Sequence, residues 1–247
     1  MAPSFDCCIK THYHKGTPVG HETKLGSLDA YVTGSETSDK AILIVADVYG
    51  FSLNNTRVLA DKYAQGIGAR VYLPDYFHGE DLTLQNKARP EQDRGEQVKG
   101  LLGKYPPRDP AWPVAAQSVK DIKAAQPSVK KIGAIGFCWG ATSVLYLSGK
   151  KAGEAQVDAV AFAHPSLIEA SDFEQVQKPG LFMCCEVDQM FPKEKQEASK
   201  LVCEKKAKED VFARFSYYPR VTHGWSIKGD ELEPYDANCC YRGYWFL

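Results

Sequence analysis

The stretch Gly136-Phe137-Cys138-Trp139-Gly140 follows an apolar run, Ile132-Gly133-Ala134-Ile135, and sets a cysteine at the centre of a Gly-x-nucleophile-x-Gly turn. In this pattern, a nucleophile elbow, a strand turns sharply into a helix and the central residue adopts a strained backbone conformation. The flanking glycines let neighbouring backbone pass without a side-chain clash. The central side chain is thereby pushed out above the sheet. Ala141, Val144, Leu145 and Ser148 recur at helical spacing before Gly149, so strand, turn and helix are all expected here. A tight connection carrying a buried, inert cysteine would use the same five residues. The choice rests on whether an acid and a histidine follow at the ends of later strands.

Outward from the turn, the chain alternates. Residues 16–33 read as a hairpin, with Gly26-Ser27 as the turn between His21–Leu25 and Leu28–Val32. Apolar runs of strand length follow at Ala41–Val48, Ala69–Leu73, Lys131–Ile135, Val157–Ala163, Leu181–Val187 and Val211–Tyr218, with helical spacing between most of them. This predicts an α/β fold with a mostly parallel central sheet and helices on both faces. Asn54 or Asn55 is expected to cap a helix running through Gly66. Pro113 sits near the start of a helix that ends before Pro127, and Pro192 suits the first turn of a charged helix through Lys208. The stretch at about 75–110 is polar and poorly periodic, rich in glycine and proline, and reads as a loop-rich excursion over the site. Residues 1–247 read as a single domain.

The composition excludes several classes. Of 247 residues, 44% are hydrophobic and 25% charged, and 30 basic against 31 acidic residues leave a net charge of −1. That gives no electrostatic footprint for nucleic acid or an anionic membrane. No run of about 18 apolar residues and no secretory leader is visible. The eight cysteines include the adjacent pairs Cys7-Cys8, Cys184-Cys185 and Cys239-Cys240, with no C-x-x-C pair. A reduced, cytoplasmic protein acting on a small molecule, as monomer or homodimer, is expected. Cys184-Cys185 reads as small apolar packing inside a strand, and Cys239-Cys240 as a pair open to oxidation. His12 and His14 lack companion ligands nearby, so no metal and no cofactor are expected.

In an open parallel sheet, ligands bind beyond the carboxyl ends of the strands. Cys138 follows one such end, Asp188 follows the run Leu181–Val187, and His223 lies after Val211–Tyr218. The order is nucleophile, acid, histidine, and each gap holds about one strand–helix unit. Asp188 alone could merely cap the helix near Pro192, and His223 before Gly224 could be an ordinary loop histidine. Their joint occurrence points to a Cys-His-Asp triad. The thiolate would attack a carbonyl, the imidazole would carry the proton, and the carboxylate would fix its tautomer.

Gly136-Phe137-Cys138-Trp139-Gly140-Ala141, Glu186-Val187-Asp188 with Phe191-Pro192, His223-Gly224-Trp225, Ala46-Asp47-Val48-Tyr49-Gly50 and Pro74-Asp75 together resemble the dienelactone hydrolase family of α/β-hydrolases. His164-Pro165-Ser166 adds a likeness to fungal members. The resemblance implies cleavage of ester or lactone bonds through a thiol acyl-enzyme, with the backbone N–H groups of Val48 and Trp139 holding the oxyanion. It also implies a glutamate at the position of Asp47, contacting the nucleophile at rest, so a nucleophile-modulating role falls to this shorter acid. Family arginines that bind a substrate carboxylate are replaced here: Lys228 stands after the histidine, and Tyr76-Phe77-His78-Gly79-Glu80 offers none. Arg89, Arg94 and Arg108 are alternatives from the excursion. Tyr76 and Trp225, with Phe77, Trp112 and Trp139, are candidates to line an aromatic pocket. The competing readings are a non-catalytic ligand-binding or redox-responsive protein on the same fold, and thioester cleavage or acyl transfer.

Overall fold

The apolar runs pair into one eight-stranded sheet in a computed structural model that describes residues 11–88 and 94–233. The strands are β1 (His21–Leu25), β2 (Leu28–Thr33), β3 (Lys40–Val45), β4 (Arg70–Pro74), β5 (Lys131–Phe137), β6 (Ala159–Ala163), β7 (Gly180–Val187) and β8 (Ala213–Thr222). Their order across the sheet is β1-β2-β4-β3-β5-β6-β7-β8. The hairpin strand β2 joins β4 antiparallel, and every pairing from β4 through β8 is parallel. The central strands are buried on both faces, which is why β3, β5 and β6 read as near-continuous apolar runs rather than alternating ones.

The helices are α1 (Asn54–Ile67), α2 (Leu82–Ala88), α3 (Arg94–Lys104), α4 (Ala111–Ala125), α5 (Ala141–Ser148), α6 (Lys193–Lys206) and the single turn α7 (Trp225–Lys228). From β3 the chain crosses through α1 to β4 on one side, then returns through α4 to β5 on the other. Crossovers of one hand put these two helices on opposite faces. The reversal between β3 and β5 opens a crevice at their carboxyl ends, and the loops bearing Val48 and Cys138 both issue there.

Two expectations about local structure are overturned. Helix α1 begins after Leu53 with no side-chain cap. The amides of Asn54 and Asn55 are spent on the amino-terminal segment instead: Asn54 Nδ2 donates to the carbonyls of His14 and Gly16, and Asn55 Nδ2 to those of His12 and Ile227. The excursion is more regular than its composition suggested. It holds α2 and α3, docked through buried Leu82, Val98 and Leu101, which are too few to give a clear helical period among Gly95, Gly100 and Gly103. Arg89 and the cysteine pairs Cys7-Cys8 and Cys239-Cys240 lie outside the described residues.

The elbow is tightly packed. Cys138 has φ +48°, in the left-handed region that costs a side-chain-bearing residue energy. A Cβ on Gly140 would overlap the Val45 carbonyl, and one on Gly136 would sit 2.6 Å from the Gly140 carbonyl oxygen. Gly140→Ala should therefore cost at least about 1–3 kcal/mol, because backbone on both sides must move. Gly66→Ala, inside α1 with nothing within 4 Å of the new methyl, should be neutral or stabilise by about 0.4–1 kcal/mol. Denaturant melts of both variants check the contrast; equal effects would contradict the elbow geometry.

Candidate active site

Asp188 and His223 meet at the carboxyl ends of β7 and β8. The His223 Nδ1 donates to the carboxylate, 2.9 Å from Oδ1 and 3.0 Å from Oδ2, with both side chains about 1% exposed. An ionised carboxylate only accepts, so the ring proton belongs on Nδ1 and the Nε2 lone pair is left available. Nε2 is buried and has no hydrogen-bond partner. Backbone sets this meeting: the His223 N–H donates to the Val187 carbonyl at 3.1 Å, stapling the histidine loop to the strand that ends in Asp188.

Asp188 does not cap α6, which starts after Pro192 without a side-chain cap; it shapes the turn before that helix and holds His223. Its Oδ1 accepts the backbone N–H groups of Met190 and Phe191 at 2.9 and 3.0 Å, turning the chain toward Pro192 and α6, while the same carboxylate holds His223. A further donor was not legible in the sequence. The Cys185 Sγ lies 3.4 Å from Asp188 Oδ2, and burial together with the neighbouring carboxylate pushes that thiol's pKa up, so it stays a protonated donor. Cys184, its neighbour on β7, is buried as apolar filling, with its pKa pushed up to about 12 by the same causes. All four cysteines of the described residues, Cys138, Cys184, Cys185 and Cys203, are buried and in no disulfide.

Cys138 stands at the carboxyl end of β5, two strands from Asp188. Its Sγ lies 3.4 Å from the Ser166 Oγ, with both residues buried, and the Ser166 N–H donates to the Cys138 carbonyl at 3.0 Å. Ser166 belongs to the segment that leaves β6. In that segment His164 is fully buried, with φ +39°, its Nε2 2.7 Å from Ser226 Oγ and its ring edge-to-face with His223 at 5.1 Å between centroids. Burial first, then the proximity of His223 and Lys228, hold the His164 imidazole well below the usual histidine range, so it is neutral.

The other candidates fall around this centre. Asp47 is buried and its Oδ1 accepts the Tyr49 N–H at 2.9 Å, shaping the loop after β3 that presents Val48. Val48 is fixed in turn by its carbonyl, which accepts the Leu82 N–H at 3.0 Å. Trp139 packs against Phe77 and Tyr76 and donates its Nε1 to the Tyr105 carbonyl, so its side chain ties the excursion to the elbow. Tyr76 turns its hydroxyl to Ser118 on α4, and Trp225 stacks on Tyr218. Trp112 stacks on Tyr146. Lys228 is buried, 6% exposed, with Nζ 4.7 Å from the centre of the Tyr49 ring. Arg108 is engaged within the protein. Its guanidinium makes a two-pronged bond to Asp172 and a third to the Leu167 carbonyl. His14 bonds the Gly229 carbonyl and His12 lies 3.6 Å from Asp230, so both tie the amino-terminal segment to the end of α7. Among the described residues no group of three or more His, Cys, Asp or Glu is placed to hold a metal, and no helix is long and apolar enough to cross a membrane.

A mostly parallel sheet with a strained elbow beside its switch point and a His-Asp pair at the neighbouring strand ends defines an α/β-hydrolase fold. Residues 28–244 match the dienelactone hydrolase family, and the chain belongs to that family, whose members are hydrolases of esters and lactones acting on small molecules. It is 27% identical over 231 residues to hydrolase pyvD of Aspergillus violaceofuscus, covering 92% of this chain and 87% of that one. It is 30% identical over 225 residues to a carboxymethylenebutenolidase homolog of Xenopus tropicalis, covering 88% and 83%. The crystal structure of a dienelactone hydrolase candidate from Klebsiella pneumoniae superposes with a TM-score of 0.67 at 18% identity, over 93% of this chain and 96% of that one.

The neutral His164 makes folding pH-dependent with a definite sign. Above the unfolded histidine pKa of about 6.5 the ring is neutral in both states and its burial costs nothing extra. Below it the unfolded chain binds a proton that the folded one refuses, so stability falls by up to about 1.4 kcal/mol per pH unit. His164→Gln should lose less stability between pH 7 and 5 than the parent in paired denaturant melts. An equal loss would contradict the neutral buried imidazole.

Proposed function

We propose that Cys138, His223 and Asp188 form the catalytic triad of an ester or lactone hydrolase working as one domain in the reducing cytoplasm. The observation that carries the reading is the Asp188-bound His223, with its Nε2 lone pair unused and buried at the end of the sheet where the Cys138 elbow projects. The thiol gives its proton to Nε2 and the sulfur adds to the substrate carbonyl. The resulting oxyanion takes hydrogen bonds from the backbone N–H groups of Val48 and Trp139. Collapse expels the alkoxide or enolate, which takes the proton from the imidazolium; in a lactone the leaving oxygen stays tethered to the acyl group. Water, deprotonated by the same Nε2, then attacks the thioester, and the acid and the thiol are regenerated. Asp188 keeps its charge throughout and holds the ring in one tautomer. Asp47 acts on this cycle through the loop that presents Val48.

Cys138→Ala tests the reading. Turnover of aryl esters and small lactones should fall by at least about a thousandfold, with little change in melting midpoint because the side chain faces the crevice. Retained turnover in a folded variant would remove Cys138 from the chemistry, and with it the triad.

Lys228 gives the substrate preference. A buried cation at this end of the sheet favours a substrate carrying a carboxylate, with a charge-assisted hydrogen bond contributing about 1.5–3 kcal/mol, or roughly ten- to hundredfold in kcat/KM. Burial also makes that preference resist added salt. Lys228→Met should lower the ratio of kcat/KM for an anionic lactone to that for a neutral ester by this factor. An unchanged ratio would remove Lys228 from substrate binding.

A further inference from the structure

The sheet ends differently on its two sides. β1 is short, and His21, Glu22, Thr23 and Lys24 are all exposed, giving a polar, charged edge of the kind that discourages further pairing. β8, at the other end, runs from Ala213 to Thr222 and has β7 as its only strand neighbour among the described residues. The Gly180 N–H donates to the Phe212 carbonyl, so in this parallel ladder the even-numbered residues of β8 turn their N–H and C=O groups to β7, while Phe215 and Tyr217 turn theirs outward. Arg220, at φ +66°, interrupts the extended backbone and confines the outer edge to Ala213–Pro219, with Ser216 at its middle. Beside this edge lies an open groove of about 530 Å³, walled by Phe215 and Tyr217 on the strand and by Lys193, Glu197, Lys200 and Glu204 on α6. These four charges are exposed, stand about one turn apart on one face of the helix, and alternate in sign. None of them has an ion-pair partner among the described residues, whereas Lys195 and Lys206 of the same helix are paired with Glu169 and Glu209.

We propose that this edge is a self-association surface, on which a second copy of the chain docks across a two-fold axis with β8 against β8. A two-fold requires that each residue and its counterpart exchange roles, and both elements satisfy that condition. On α6 the charges are antisymmetric about the midpoint between Glu197 and Lys200. Two antiparallel copies of the helix therefore set Lys193 against the partner's Glu204 and Glu197 against the partner's Lys200. On β8 an antiparallel pairing centred on Ser216 sets Phe215 against the partner's Tyr217, and Tyr217 against the partner's Phe215. These are the residues whose backbone groups face outward, so each pair exchanges two N–H···O bonds, and the rings meet on the α6 side of the seam. The same register places Pro219, which has no N–H, at the end of the run opposite the partner's Ala213, where the fewest bonds are lost. The strand bonds and aromatic contacts supply the affinity, while the exposed ion pairs set the register and exclude other partners. An unrelated chain has no reason to match both patterns at once, which selects a second copy as the occupant.

Sedimentation velocity of the full chain across the micromolar range is the test. The parent should form a two-chain species reversibly as its concentration rises. Lys193→Glu combined with Lys200→Glu makes the stripe wholly acidic, and Glu197→Lys combined with Glu204→Lys makes it wholly basic. Each double variant alone should associate at least about tenfold more weakly than the parent, because every cross-pair becomes a like-charge contact. An equimolar mixture of the two should restore the two-chain species, since opposite stripes then face each other. Circular dichroism and the melting midpoint report whether each variant is folded; if one is not, Lys200→Glu and Glu197→Lys as single substitutions make the same comparison. A parent that remains a single chain throughout the range would overturn the proposal. So would a dimer that persists in both double variants, which would be built on another face. Folded variants that stay apart on mixing would overturn it too, because the two stripes would then not meet.

Discussion

The close approach of the Gly140 backbone to the Val45 carbonyl governs the carboxyl end of this sheet. It lets α5 start directly against β3, so the chain leaving β5 has no room to bend gradually. Cys138 takes up the bend with a left-handed backbone, and its side chain is thrown above the strand ends. The neighbouring strand ends then complete the site. β3 delivers the loop of Asp47 and Val48, β6 delivers His164 and Ser166, and β7 and β8 deliver Asp188 and His223. The parallel order of β3-β5-β6-β7-β8 makes this possible, since parallel strands bring all these loops out at one end.

Around His223 the electrostatics are organised by one buried carboxylate, that of Asp188. Asp188 collects two backbone N–H groups, the Cys185 thiol and the His223 ring, so its charge is met by fixed donors rather than by water. Such a carboxylate defines the histidine tautomer and stabilises an imidazolium when one forms. His164, one ring away, is kept neutral by burial and by Lys228, and so adds no second positive charge beside His223. The polar contacts of both rings are made by residues that the fold already fixes for other reasons, which is how a buried site of this kind stays ordered.

Much of this was legible in the residues. The elbow pentapeptide, the alternation of apolar runs, and the cysteine–acid–histidine order are patterns visible along the chain, and the sheet was readable because its central strands are buried on both faces. Three things were not. The asparagines at the start of α1 carry the right chemistry for a cap, but long-range bonds to the amino-terminal segment claim them. Helices α2 and α3 are held by a few buried side chains among glycines, and their order comes from docking rather than from periodicity. Cys185 has no sequence pattern of its own, and Ser166 is marked only by the His164-Pro165-Ser166 likeness, which gives no position in the site. They matter only because the registers of β7 and β6 place them against Asp188 and Cys138, and register is a property of pairing, not of one strand. Lys228 was legible as a charge near the histidine, while its burial over Tyr49 depends on the three-dimensional meeting of α7 with the loop after β3.

The central claim is that Cys138 carries the acyl group. It is tested most directly by rapid-quench intact-protein mass spectrometry during turnover of an activated ester, with peptide mapping of the adduct. The account predicts a transient mass increase equal to the acyl group, confined to the peptide containing Cys138 and accumulating in His223→Ala after slow acylation, because deacylation there lacks its base. Turnover with no adduct on Cys138 under any quench time, or an adduct on another residue, would contradict it.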